Sequence, residues 1–505
     1  MIAGNNHSNR KVTITGWGQV TQSREQIDNL LDPLGLMVKA SRRAAESLGS
    51  LDILAKVDGI MVVRPLSRHY DDAAKQLAEK IGAAPRFDLV SGVGGNSPQS
   101  LVNKAGGMIA RGELESVLLA GGETYCPRNK SETRTGSDIF KGLTGGHERQ
   151  DMLGAMEIEM HHGVYLPIHG FPLYETALWA ESGLDLEPYM ERVGNLWRKF
   201  SQAASTHPNA WIKSPLTSSA IVSATRNNRM IAFPYTKFMT SMLYVDLGAA
   251  IILMSEEKSR QFYKKDRQPV YFLAGAHTEE RQPFLIQKSN FTSSLPLKAA
   301  AQRALCRSNL TMEEIDCFDI YSCFPSSVAI ACKMLGIKET DKRPLTLTGG
   351  LGFFGGPGNN YSLHAVVTLA DALSRGLYKT GMITSLGWFL QKHAVGIYST
   401  RPVNTELYHY DLDDKKSFLV GEKPVKIRNI ASGKGIIETY TVIYSRDGSP
   451  AYAVIYGKTS EGFRFISQTH ADPDIFNFLI SQSQVGRLVH LKYNAQQNLN
   501  IAELL

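Results

Sequence analysis

Gly352-Phe353-Phe354-Gly355-Gly356-Pro357-Gly358-Asn359-Asn360 opens an apolar, helix-like stretch that stops at Arg375-Gly376, and Met382-Ile383-Thr384-Ser385-Leu386-Gly387 follows it as a short strand. Far earlier the same succession occurs. Val90-Ser91-Gly92-Val93-Gly94-Gly95-Asn96-Ser97-Pro98-Gln99 runs into a stretch ending at Arg111-Gly112, and then comes Val117-Leu118-Leu119-Ala120-Gly121-Gly122. A unit that recurs at such distance predicts two similar half-domains. Glycine-rich loops at matching places in each predict a cavity walled by backbone where the loops meet.

Around these units, Lys11 to Gly16 reads as a strand, Pro33 to Leu48 as an amphipathic helix, and Asp58 to Val63, Ser241 to Met254 and Pro269 to Gly275 as further strands. Such alternation argues for an α/β domain with a largely buried sheet. Between Cys126 and Met239 the pattern loosens, with helical pieces such as Leu184 to Ser201. Past Tyr398 the character changes again. Val425 to Ile430, Gly435 to Tyr444, Ala451 to Tyr456 and Phe463 to Ser467 are short, β-branched and separated by turn signals such as Asp447-Gly448 and Glu461-Gly462. They predict a small OB-like β-barrel from roughly residue 410 onward.

A chain of 505 residues exceeds one compact core, so two or three domains are expected. The net charge of +7 arises from 55 basic against 48 acidic residues with no long basic run, which gives nucleic-acid binding little support. Contact between an OB-like barrel and a ligand or nucleic acid remains a lesser alternative. Five cysteines, an odd number without a C-x-x-C pair, suit a reducing setting. The polar Met1 to Arg10 lacks a secretory h-region and no apolar run has the length of a membrane span, so a soluble, cytoplasmic protein is expected.

These segments resemble the thiolase superfamily over roughly residues 11 to 400. The resemblance implies an α/β thiolase fold of two similar βαβ-type halves layered α-β-α-β-α: residues 1–255, with a loop domain over about 126–239, and residues 256–405. Residues 406–505 would be an additional all-β, OB-like domain of the kind some thiolase-like proteins carry. Asp246-Leu247-Gly248-Ala249-Ala250 resembles the family's D-G-A-A strand with Leu247 added.

A thiolase forms its acyl-thioester on a cysteine at the start of a buried helix. Here the matching loop places Asn96 at that position, with Ser97 as the fallback; both also read as ordinary helix-start residues ahead of Pro98. Asp319-Ile320-Tyr321-Ser322-Cys323-Phe324-Pro325 resembles the His-Asp-Cys-Phe loop of sterol-carrier-protein-X type thiolases. Tyr321 and Ser322 replace the His and Asp, and Cys323 is retained, either as a reactive group or as a buried core thiol. Cys332, in the following helix, reads as core.

In the loop resembling G-H-P-x-G, Gly355, Gly356 and Asn359 line the expected oxyanion region, and Gly356 stands where the family has its catalytic His. Thr384-Ser385-Leu386-Gly387 stands where the family has a C-x-G acid, and His393 is a nearby replacement or a plain surface residue. His364 reads as a packed residue. Arg226, Arg229 and Lys237 would hold coenzyme A phosphates, or form a solvated basic turn. His161, His162 and His169 lack companion ligands, so no metal is expected.

The resemblance implies a thiolase-like member of the acyltransferase superfamily that takes a coenzyme A thioester as ligand, with no covalently bound cofactor. Its chemistry would be weak or altered, acetyl-CoA acetyltransferase-like if active, and would use Cys323 assisted by His393 or Ser97. The alternative is a non-catalytic scaffold or partner subunit of another thiolase-type enzyme. A homodimer, a monomer and a heteromeric assembly all stay open.

Overall fold

The computed structural model describes residues 10–23, 30–126, 154–281, 284–403, 419–421 and 424–505. Its strands in chain order are β1 (Val12–Thr21), β2 (Gly59–Val62), β3 (Phe87–Val90), β4 (Ser116–Thr124), β5 (Met230–Ala232), β6 (Tyr235–Thr236), β7 (Asp246–Ser255), β8 (Tyr271–Glu280), β9 (Cys317–Asp319), β10 (Thr380–Gly387), β11 (Lys392–Ser399), β12 (Leu419–Val420), β13 (Gly433–Tyr444), β14 (Pro450–Thr459), β15 (Arg464–Gln468), β16 (Leu488–Asn494) and β17 (Leu499–Leu504).

The first half runs β3-β2-β4-β7-β1 and the second β8-β11-β10-β9, joined where Val12 and Thr13 pair with Phe272 and Tyr271. Outward from that join, β1-β7-β4-β2 and β8-β11-β10-β9 have the same strand directions, two antiparallel pairs and then a parallel one. The repeat read from the glycine loops is therefore a repeat of topology. The first half alone adds a regular edge strand, β3; in the second, Pro344 and Leu345 carbonyls accept from the Phe318 and Ile320 N–H groups at 2.8 and 3.0 Å.

The helix Pro33–Leu48 starts at Asp32, whose carboxylate accepts from the Gly35 N–H at 2.8 Å, and stops at left-handed Gly49. It packs on β1, β4 and β7. Gly18 permits this closeness, because a Cβ there would lie 2.6 Å from the Ala40 carbonyl oxygen and the Ala44 nitrogen. The helices Ser97–Ala110 and Tyr361–Ser374 are buried along almost their whole length and touch each other and strands of both halves. Leu101, Val102 and Ile109 share one core there with Leu363, Val366 and Leu369. Burial of each such side chain contributes about 1.5–3 kcal/mol, which is why these two helices rather than a polar linker hold the halves together. The helix Leu295–Ser308 covers β8 and β11 from the other side. The result is a mixed α/β fold with helices packed on the strands of both halves.

β13 to β17 form a closed five-stranded barrel in the order β14-β15-β17-β16-β13, completed by the β13–β14 pairing. The barrel agrees with the expected small β domain, and the short helix Pro473–Ser481 sits between β15 and β16. Val425 to Ile430 is no strand: it makes a single bridge, Ile427 to Arg464. β16 and β17 lay outside the sequence reading.

The barrel is fused to the region read as a loop domain. β13 continues into β5 and β6, with Ile443 paired to Ala232 and the Phe233 N–H donating to the Val442 carbonyl at 2.8 Å. Behind that seam lies the helix Pro167–Ser182, buried from His169 to Trp179, whose Thr176 hydroxyl lies 2.7 Å from that of Thr439. A helix that is apolar all round has no amphipathic stripe, so the loosened pattern between Cys126 and Met239 concealed it.

Candidate functional site

The four motif loops converge on one cavity of about 970 Å³. Gly94 and Gly95 come from the first glycine loop, Gly358 and Asn359 from the second, Tyr321, Cys323 and Phe324 from the segment after β9, and Leu386 and Trp388 from the end of β10. Asn359 ties the loops together: its Oδ1 accepts from the Gly94 N–H at 2.9 Å and its Nδ2 donates to the Arg64 carbonyl at 3.0 Å. A Cβ on Gly95 would lie 2.2 Å from the Tyr321 hydroxyl and 2.5 Å from the Leu386 carbonyl oxygen. Since that carbonyl is backbone and cannot swing aside, Gly95→Ala is expected to lower the unfolding free energy by about 1–3 kcal/mol in a urea titration.

Three polar groups deep in the wall are neutral. Burial pushes the Cys323 thiol up to about 12, so it stands as S–H and not as thiolate. Burial likewise raises the Tyr321 phenol above its ordinary value, and its O–H stays on. His169 lines the cavity too. Burial lowers it to about 4, and its Nδ1 accepts from the Leu166 N–H at 3.4 Å, which puts the ring proton on Nε2. A thiol, a phenol and an imidazole N–H can donate hydrogen bonds to a carbonyl or enolate oxygen without any change of protonation.

The other residues singled out in the sequence sit as follows. Asn96 precedes the helix Ser97–Ala110 in helical conformation, its side chain makes no cap bond, and its buried Oδ1 has no hydrogen-bond partner among the described residues. The Ser97 hydroxyl donates to the Gly92 carbonyl at 2.9 Å. Both line a separate cleft of about 370 Å³. His393 is buried away from the cavity with its Nε2 3.0 Å from the Ser294 hydroxyl, and burial lowers it to about 3. His364 is buried as well, Nδ1 bonded to the Gln19 amide oxygen at 2.9 Å.

Gly355 and Gly356 stand behind the cavity wall. The Gly356 N–H donates to the Met242 carbonyl at 2.8 Å, and a Cβ there would touch Leu351 and that same carbonyl at 3.4 Å. Of the three cations, Arg226 and Lys237 are exposed and off the cavity, and Arg229 lines it. A fourth was not foreseen. Arg446, in the turn after β13, lines the same cavity as Arg229, with Tyr444 and Ser445.

Among the described residues no group of three or more His, Cys, Asp or Glu could hold a metal. His162 is committed on both nitrogens, to the Ile158 carbonyl at 2.8 Å and the Asn500 N–H at 3.0 Å. Among the described residues no helix is long and apolar enough to cross a membrane.

Residues 416–496 match the family described as "Thiolase-like protein type 1 additional C-terminal domain". No curated protein matches the sequence. Among solved structures, a monomeric SCP2-thiolase like protein type 1 from Mycobacterium smegmatis is 28% identical, with a TM-score of 0.81 over 99% of this chain and 100% of that one. An Ltp2-ChsH2(DUF35) aldolase is 17% identical, with a TM-score of 0.62 over 79% of this chain and all of its own. An acetyl-CoA acetyltransferase from Syntrophomonas wolfei is 16% identical, with a TM-score of 0.56 over 78% of this chain and 100% of that one; these last two likenesses concern the fold. Two topologically matched halves around a shared cavity, followed by a barrel that the family description covers, make this chain a thiolase-like protein with an additional C-terminal domain.

Proposed function

We propose that the cavity binds an acyl thioester of the coenzyme A type without forming an acyl-enzyme, and that any acyl-transfer or carbon–carbon bond chemistry there is weak or altered. The observation that carries this reading is the composition of the cavity: an apolar space with Tyr321, Cys323 and His169 as neutral donors and Arg229 and Arg446 in its lining. Like charges lining one cavity repel, and neither Arg229 nor Arg446 forms an ion pair among the described residues. An anion between them relieves that repulsion, and the phosphates of a coenzyme A thioester would place one there while the thioester reaches the donors.

Calorimetric titration of the full chain with coenzyme A and acyl-CoAs tests the reading. Arg229→Ala/Arg446→Ala is expected to weaken binding by about 10- to 100-fold, as loss of charge-assisted hydrogen bonds does, and to flatten its salt dependence. Unchanged affinity in the double variant would remove the phosphate assignment, and no heat with any thioester would remove the reading. If acyl-CoA is turned over, Tyr321→Phe and Cys323→Ala should each slow it. A non-catalytic partner subunit is the second reading, favoured by a cavity thiol that is held neutral and by Asn96, outside that cavity, at the helix start where a thiolase has cysteine.

A further inference from the structure

The 370 Å³ cleft that receives Asn96 and Ser97 has only Val93 in common with the large cavity, and it carries chemistry of its own. On its wall the Ser100 hydroxyl lies 3.0 Å from His277 Nδ1, and His277 Nε2 lies 3.2 Å from a Glu279 carboxylate oxygen. His277 and Glu279 are alternate residues of β8 and so project from one face. Ser100 sits in the first turn of the helix Ser97–Ala110, which packs against that strand.

The proton positions follow from what each group can do. An ionised carboxylate only accepts, so the ring proton of a neutral His277 is on Nε2 and points to Glu279, and Nδ1 accepts from the Ser100 O–H. The His277 bond is the largest influence on Glu279, and it holds the carboxyl below its usual range, in keeping with an ionised partner. Lys104, Arg307 and Lys392 line the same cleft, Lys392 directly across the ladder from Glu279. A nucleophile-capable hydroxyl, a base correctly protonated to receive its proton, an acid that orients the base and a cationic surround thus meet in one opening.

We propose that Ser100, His277 and Glu279 form a second reactive centre that hydrolyses a carboxylic ester or thioester bearing an anionic group. Ser100 Oγ adds to the carbonyl carbon as its proton passes to His277 Nδ1. The carbon–oxygen or carbon–sulfur bond breaks, and the leaving alcohol or thiol takes that proton. Water then attacks the acyl-Ser100 ester, gives a proton to His277 Nδ1 and releases the carboxylic acid, while Ser100 recovers its proton. The net change is ester plus water to acid plus alcohol or thiol. Ser100 and His277 are the catalytic residues; Glu279 is a positioning residue that fixes the tautomer and the ring.

The full chain treated with a fluorophosphonate and digested for mass spectrometry should carry one phosphonyl adduct, on Ser100. His277→Gln should slow its formation by about 100-fold or more, the usual contribution of a positioned base. Glu279→Gln should slow p-nitrophenyl acetate hydrolysis by about 10-fold or more with KM unchanged, a split that a merely structural role would not produce. The mono-p-nitrophenyl ester of succinate should be cleaved with a higher kcat/KM than the acetate, and Lys392→Met should erase that preference. Absence of a Ser100 adduct on the folded wild-type chain overturns the centre, whatever the variants do. An adduct formed equally fast in folded His277→Gln also overturns it, and equal kcat/KM for the two esters removes the anionic substrate class.

Discussion

Asp319→Ala is expected to lower the unfolding free energy by about 3–5 kcal/mol, the scale seen when a buried, fully bonded charged group is removed and its partners stay. One oxygen of this buried carboxylate accepts from the Thr346 hydroxyl at 3.1 Å, the Leu347 N–H at 2.8 Å, and the Thr348 N–H and hydroxyl at 2.9 and 3.0 Å. The other accepts from the Tyr361 hydroxyl at 2.8 Å. Alanine strands all five donors, two of them backbone groups that no rotamer change can re-pair. Asp319→Asn should cost less, about 1–3 kcal/mol, because an amide oxygen can still serve the Thr346–Thr348 loop while its NH₂ faces Tyr361, whose oxygen can accept. Urea unfolding of both variants measures the difference; equal losses would show that charge rather than donor satisfaction sets the cost. The effect should extend to the cavity, since Tyr361 begins the helix that follows Gly358 and Asn359.

The second large effect is acid lability. Burial holds His162, His169 and His207 down to about 4, and His364 and His393 down to about 3, against an ordinary 6.5. In the unfolded chain these rings gain protons below pH 6.5, while in the folded chain they stay neutral until pH 4 or lower. The unfolded state therefore binds more protons across that window, and stability falls as pH falls. A tenfold difference in proton affinity between the two states corresponds to about 1.4 kcal/mol, so each ring contributes about 3 kcal/mol or more across the whole window.

Glu123 and Glu159 oppose them. Burial raises both from 4.5 to about 7, so they favour the folded state as pH drops from 7 towards 4.5. Glu175, Asp319 and Glu339 are raised by burial too and oppose the rings in the same sense, so the urea midpoint should fall steeply only below pH 4.5, where Glu123 and Glu159 have ceased to gain. His393→Gln should flatten that slope by up to about 1.4 kcal/mol per pH unit, one proton's worth. A midpoint that holds or climbs as pH is lowered below 4.5 would sink the prediction and show that the buried carboxyls dominate.

Much of the architecture was legible along the chain. The glycine loops and the apolar stretches behind them marked the repeated unit, Pro33 to Leu48 had its boundaries written in Asp32 and Gly49, and three of the barrel strands stood out by alternation and turn residues. Cys323 could be named as a site residue because its loop follows β9, and Asn359 because its glycine loop repeats the one that follows β3.

Other assignments depended on side-chain direction and on pairing across hundreds of residues. Arg226, Arg229 and Lys237 look equivalent in a basic turn, yet Arg229 alone lines the cavity. Arg446 could be found only once the β13–β5 pairing had brought the end of β13 to the cavity. His393 follows a motif loop but is alternated into the core, and His169 lies in a helix with no polar face to announce it. Ser100, His277 and Glu279 come from a helix and a strand that are consecutive in no motif. The elements and their repeat can be read from the linear chain, because helix and strand periods and turn residues act over a few positions. Which side chains share a cavity emerges only once the chain is folded, because that depends on strand register and helix rotation, and these are set by packing between segments remote in the chain.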